Sequence, residues 1–345
     1  MSSILRESAA ESLPQPYLLF LGDTTEPGYA KTAFGLRDWA GDRCVGEWSC
    51  GATVTTGLPR LRPKEARARG ARGMVIGVAN SGGIIYDSWI PSLIEALESG
   101  LDIVSGMHTR LSDTPQLKAA AARLGRRLID IRTPPPNIPI ATGRKRTGKR
   151  LLTVGTDCAL GKKYTALALT RAFAARGVDV DFRATGQTGI LIAGSGIPMD
   201  AVIADFEAGA AEMLSPDASP QHWDVIEGQG SLFHPAYASV SLGLLHGSQP
   251  DVFVVCHAPA RARMLGNEDF VLPSIEETID MTLRLGRRTN PEIRCAGVSL
   301  NTDKLEESAA RELIARESRR LGLPAADPMR GGVEFERLVD ACLSN

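Results

Sequence analysis

The chain has 345 residues, 39 of them basic and 40 acidic, with 35 glycines, 21 prolines and 43% hydrophobic side chains. This is ordinary globular composition with length enough for two domains, and it excludes both a disordered and a fibrous chain. The near-cancelling charge excludes a global field that would draw the protein onto nucleic acid or an anionic membrane, so any anion site must be local.

Residues 1–16, MSSILRESAAESLPQP, read as an N-terminal tail without a basic stretch leading into an apolar one, and no window approaches ~18 uninterrupted apolar residues. The six cysteines, Cys44, Cys50, Cys158, Cys256, Cys295 and Cys342, show no metal-binding spacing. A reduced, cytoplasmic protein is expected, with no bound metal. Residues 17–132 then alternate short apolar runs (YLLFLGD, GMVIGVA, LDIVSG, RLIDI) with helix-like stretches (KTAFGLRDWAG, WIPSLIEALESG, TPQLKAAAARLG). Such alternation implies α/β architecture, here an N-terminal Rossmann-like domain with a parallel sheet and crossover helices.

The run TPPPNIPIATGRKRTGKR is poor material for helix or sheet and marks a solvated linker over residues 133–149. A second alternation fills residues 150–345: RLLTVG, VDVDFRATG, AVIADFEAG, WDVIEGQG, PDVFVVCHA and IRCAGVSLN read as strands whose C-terminal ends carry the polar and glycine-rich residues. In open α/β sheets ligands sit at that edge, so the second domain should hold the main site.

The first strand of this domain runs into GTDCALGKKYTAL, a strand, loop and helix in the order a phosphate loop demands. Gly155, Thr156, Asp157, Cys158 and Gly161 would let backbone N–H groups converge on phosphate oxygens, and Lys162 adds a full charge at the helix start. The usual pattern ends in Ser or Thr, whose hydroxyl holds Mg²⁺ on a nucleotide, but here Lys163 stands in that place, followed by Tyr164 and Thr165. Thr165 is a poor substitute, since two residues along a helix turn it by roughly 200°. Lys163 instead offers a second positive charge, which suits a pyrophosphate held without metal. The rival reading has Asp157 and Glu227 holding Mg²⁺, with Lys163 in solvent.

Further along, Arg183, Thr185, Gln187 and Thr188 form a polar set suited to gripping a small carboxylate, Arg183 by bidentate pairing. In the segment AVIADFEAGAAE, Asp205 and Glu207 follow an expected strand, and Asp205 serves either as helix cap or as a site residue. Glu227 stands at a strand end as metal ligand or general base, followed by Gly228, Gln229, Gly230 and Ser231. His234 and His257 sit after two of the strands, with Arg261 and Arg263 as anion anchors.

Together GTDCALGKKYTAL, ATGQTGI, IADFEAGAAE, IEGQGSLFHPAYASVSLGLLHGSQPD and GYAKTAFGLRDW resemble the DgcN-type D-glutamate N-acetyltransferases, over about residues 18–338. GTDCALGKK with IEGQG is more distantly similar to dethiobiotin synthetase, a P-loop enzyme using ATP and Mg²⁺, from which Lys163 departs. The first resemblance implies a P-loop NTPase-like second domain that transfers acetyl from acetyl-CoA to the amine of D-glutamate. Glu227, Asp205 or His234, in that order, would then take the amine proton. The Gly228 to Ser231 backbone would stabilise the oxyanion, while Gln229, Ser231 and Arg261 would join the acceptor contacts. The alternative is an ATP- and Mg²⁺-dependent ligase or kinase. A homo-oligomer acting on a small molecule, with no nucleic-acid or membrane partner, is expected.

Overall fold

The computed structural model describes residues 13–344, so most of the N-terminal tail lies outside the described residues. The chain divides into two compact units. The first holds the residues up to Pro135 together with Gln187–Ala201, and the second holds Pro136–Gly186 and Val202–Asn345. The second unit's chain is therefore interrupted by fifteen residues that pack with the first, which no composition shift announces.

The first unit is built on a five-stranded parallel sheet ordered β2-β1-β3-β4-β5, with β1 Tyr17–Phe20, β2 Cys44–Trp48, β3 Gly73–Ile76, β4 Asp102–Ser105 and β5 Leu128–Asp130. Strands β1, β3 and β4 are buried along their whole length, which is why they read as unbroken apolar runs rather than alternating ones. Helices α1 Lys31–Ala40, α2 Pro63–Ala68, α3 Ile90–Glu98 and α4 Pro115–Leu124 supply the crossovers. Trp89 is the largest side chain buried here, edge-on to Phe20 at 5.8 Å, and its indole N–H donates to Asp23 at 2.8 Å. Strand β2, CVGEW, carried no clear apolar run in the sequence, since Gly46 and the buried Glu47 interrupt it. Thr55 and Thr56 satisfy the Glu47 carboxylate.

The second unit carries a six-stranded parallel sheet in the order β13-β12-β9-β6-β8-β7. Its strands are β6 Lys149–Gly155, β7 Val180–Arg183, β8 Trp223–Ile226, β9 Val252–His257, β12 Arg294–Leu300 and β13 Ala325–Ala326, while β10 Arg263–Met264 and β11 Asn267–Val271 form a separate antiparallel hairpin. Helices α5 Lys162–Ala175, α6 Gln187–Ala193, α7 Glu207–Leu214, α8 Ala238–Ser248, α9 Ile275–Gly286, α10 Glu307–Leu321 and α11 Gly332–Leu343 complete the chain. Strand β6 comes first in this unit yet lies inside the sheet between β9 and β8, so the connections leave it in both directions. Its C-terminal end is the topological switch point, where α/β sheets open a crevice for ligands.

Two expectations are corrected. AVIADF is not a strand: residues 199–201 and 204–206 are short 3-10 turns, and Ile203 is 70% exposed rather than buried against a sheet. The basic run before β6 is solvated only in part: Arg144 is exposed, but Arg146 is not. Arg146 is buried and donates to Ser215 O, Ser215 Oγ, Gln249 Oε1 and Gly247 O, and Lys145 pairs with Asp251 at 2.8 Å. A buried guanidinium persists only when its fork of donors is filled in this way.

Candidate active site

The phosphate loop leaves β6 at Gly155 and enters α5 at Lys162, turning through Ala159 (φ 52°) and Gly161 (φ 104°). The first helical hydrogen bond runs from Thr165 N–H to Gly161 O at 2.8 Å, so the N–H groups of Lys162, Lys163 and Tyr164 precede the ladder at the helix's positive end. The Lys162 ammonium folds back over the loop, donates to Asp157 O at 2.6 Å and is 7% exposed. Burial pushes its pKa below the ordinary lysine range, an electrostatic cost that a bound anion would offset.

Glu227 follows β8 directly, beside this loop. Its carboxylate accepts from Thr185 N–H at 3.0 Å and Gly186 N–H at 3.1 Å, and it is 4% exposed. Burial raises its pKa above the ordinary glutamate value, and the charge of Lys163, with a weaker contribution from Lys162, opposes that rise. Lys163, also 5.3 Å from the Tyr164 ring centroid, thus acts electrostatically on Glu227. The Thr185 hydroxyl donates to Glu227 O at 2.6 Å and accepts from Gln229 Nε2 at 2.8 Å, tying the β7 loop to the β8 loop. Gly228 is obligatory here: a Cβ on it would overlap the Thr153 carbonyl, while its N–H donates to Thr153 Oγ1 at 2.9 Å. The turn continues through Gly230 (φ 52°) to the buried Ser231.

On the other side of the loop, Asp157 is fully buried and its Oδ2 accepts from Arg261 Nη1 and from Leu265 N–H, both at 2.9 Å. Arg261 also donates to Cys158 O at 2.7 Å. Arg261 therefore braces the phosphate loop, and Leu265 brings the β10–β11 hairpin to the same carboxylate. Its turn is Leu265 and Gly266 (φ 76°), in which the glycine alone is a turn signal, and the strand reading passed over it. Thr156 lies behind the loop, fully buried, 3.0 Å from His257 Nδ1.

The other expected site residues are engaged in different ways. Arg183 is held by Asp224 at 2.5 Å and Asp181 at 3.0 Å, so its charge is already matched. The Thr165 hydroxyl turns to Ser299 Oγ at 2.8 Å, behind the helix. Asp205 is exposed in a 3-10 turn, while Glu207 begins α7 and is buried, which raises its pKa. Gln187 and Thr188 open α6 within the first unit, Thr188 Oγ1 lying 3.1 Å from Thr32 Oγ1. His234 is fully buried and stacks on Tyr237 at 4.6 Å. Arg263 caps the hairpin, donating to Glu268 O and Asp269 O. In the first unit, Asp23 accepts from Ser88 as well as Trp89, and Asn80 pairs with Ile84 through both backbone groups.

The chain's kinship agrees with this architecture. Residues 139–339 match the model described as "Domain of unknown function (DUF1611_C) P-loop domain", and residues 42–134 match "Domain of unknown function (DUF1611_N) Rossmann-like domain". A protein of Tritonibacter scottomollicae named D-glutamate N-acetyltransferase is 51% identical over 94% of this chain and 98% of its own. One of the same name from a Pseudoalteromonas species is 50% identical over 92% and 96%. The crystal structure of a DUF1611 family protein from Anabaena variabilis is 33% identical and superposes with a TM-score of 0.85, covering 96% of this chain and 100% of that one.

Proposed function

Because the chain belongs to the DUF1611 family, we propose that it is a D-glutamate N-acetyltransferase, taking the acetyl group from acetyl-CoA. The observation that carries this reading is the identity to two enzymes of that name along nearly the whole chain. The site geometry fits it. Coenzyme A presents a pyrophosphate, matched in chemistry by the loop of residues 155–161 and the buried Lys162.

In this mechanism the amine of D-glutamate, once deprotonated, attacks the thioester carbonyl carbon. The C–N bond forms, the C–S bond breaks, and the thiolate of coenzyme A leaves and is protonated. The amine is an ammonium at neutral pH, so a base must remove a proton before attack. Glu227 is the candidate: burial raises its pKa, which makes the ionised carboxylate a stronger base, and Thr185 and Gly186 fix its orientation. Lys163 stands where a hydroxyl would ligate Mg²⁺ and its charge acts on Glu227, so a cation is built into the chain at this point. In this reading the backbone N–H groups that stabilise the oxyanion come from the turn between Gln229 and Ser231, since the Gly228 N–H is already donated to Thr153 Oγ1.

With Arg183 engaged by Asp224 and the Thr185 and Gly186 N–H groups by Glu227, the Gln229 amide and Ser231 remain as acceptor contacts in this reading. A cytoplasmic setting suits these substrates and is compatible with six cysteines that form no disulfide. No helix among the described residues is long and apolar enough to cross a membrane. The test is chromatographic: incubation with acetyl-CoA and D-glutamate should yield N-acetyl-D-glutamate and coenzyme A in equal amounts. Formation of ADP from ATP with glutamate, and no acetylated product, would replace this reading with the ligase one.

A further inference from the structure

Two buried polar atoms in the second unit face each other without a partner. Asp157 Oδ1 and His234 Nε2 each lack a hydrogen bond, both side chains are fully buried, and the two atoms are 3.8 Å apart. Leaving such groups unsatisfied is costly, so their opposition calls for an explanation. With Cys158 Sγ they form a trio of ligand-type atoms within 4.8 Å of one another. The histidine tautomer decides what the trio does. Ala236 N–H donates to His234 Nδ1 at 3.1 Å, so in the neutral ring the hydrogen resides on Nε2. A ring in that state has no lone pair on Nε2 for a metal, but it has an N–H aimed at a carboxylate oxygen. The pair is a donor and an acceptor roughly 1 Å beyond bonding distance.

We propose that His234 is a positioning residue: its Nε2–H closes on Asp157 Oδ1 when the donor substrate occupies the phosphate loop, locking that loop to the turn that follows Glu227. This rests on the acetyl-transfer reading. The connectivity supports the role. The other oxygen of Asp157 already holds Arg261 and Leu265, so closure would join three segments at one carboxylate: the phosphate loop, the β10–β11 hairpin and residues 231–237. His234 N–H in turn donates to Ser231 O, and His234 O accepts from Tyr237 and Ala238 at the start of α8, so the ring cannot shift without the turn. Closing the gap therefore moves the acceptor-side turn and the donor-side loop toward one register.

The experiment has two arms. In the first, His234→Phe keeps a ring for stacking on Tyr237 but removes the N–H, and His234→Gln restores a donor near the Nε2 position. His234→Phe should lower kcat by roughly tenfold or more with the KM for each substrate changed by less than about threefold, and His234→Gln should recover most of the loss. Equal impairment of both variants, or wild-type kinetics in His234→Phe, would overturn the proposal. In the second arm the full-length protein, labelled with ¹⁵N-histidine, is titrated with coenzyme A and the Nε2–H resonance of His234 is followed. A downfield shift on saturation, absent in Asp157→Asn, is expected. No shift, or no binding of coenzyme A, would overturn it. This arm does not depend on acetyl transfer, so if the wild-type enzyme fails to acetylate D-glutamate while the shift appears, only the functional reading falls.

Discussion

Lys162 and Glu227 are opposite charges buried at one sheet edge, and burial disfavours the ionised form of each. For Lys162 the folded pKa lies below the unfolded one, so between the two values the unfolded chain binds more protons and stability rises with pH. Lys162→Met should thus leave the melting temperature at pH 7 unchanged or higher, while weakening acyl-donor binding by roughly ten- to a hundredfold, read by calorimetry. For Glu227 the sign reverses: its folded pKa lies above the unfolded one, the native state holds the proton longer, and stability falls as pH rises across that window. As base it must be ionised, so kcat/KM should climb with pH through the raised Glu227 pKa. Glu227→Gln should lower kcat by about a hundredfold or more and flatten that acidic limb in a pH-rate profile. The sequence made these residues legible because strand, loop and helix fix where a backbone-anchored residue must stand. It did not make Arg183 legible, since a side chain on a strand can turn to neighbours such as Asp224 that lie far off in sequence.

Elements were legible where burial was complete on both faces. The runs YLLF, GMVI, DIVS and WDVI became buried strands because a parallel sheet covered by helices leaves no polar face. The run AVIADF misled for the converse reason: its apolar residues are not all buried, Ile203 being 70% exposed, and the segment folds into short 3-10 turns. Helix α6 shows a third case, QTGILIA, whose buried face belongs to the first unit although its neighbours in sequence belong to the second. Its anchor is Gly106, where an added Cβ would overlap the Gln187 side chain. Gly106→Ala should destabilise the protein by about 1–3 kcal/mol, the usual range for overpacking, and lower the midpoint of denaturant unfolding. An unchanged midpoint would mean that α6 yields freely.

At the scale of the whole molecule, residues 187–201 belong to the first unit although the chain on both sides of them belongs to the second. A fragment spanning residues 136–345 would carry the buried side chains of Thr188, Ile190, Leu191 and Ile192 without the unit they pack in. It should be less soluble and less stable to heat than the full chain, as centrifugation and thermal melts would show. On the proposed reading, the second unit keeps the sheet and loop of a P-loop domain but carries Lys163 where a metal-binding hydroxyl is expected, its charge acting on Glu227. The most direct measurement is the rate of thiol release from acetyl-CoA with D-glutamate, with EDTA present and with Mg²⁺ added, in the wild type and in Lys163→Thr. The account predicts equal wild-type rates in both conditions and a loss in Lys163→Thr that EDTA does not deepen. A wild-type rate that collapses in EDTA and returns with Mg²⁺ would contradict it.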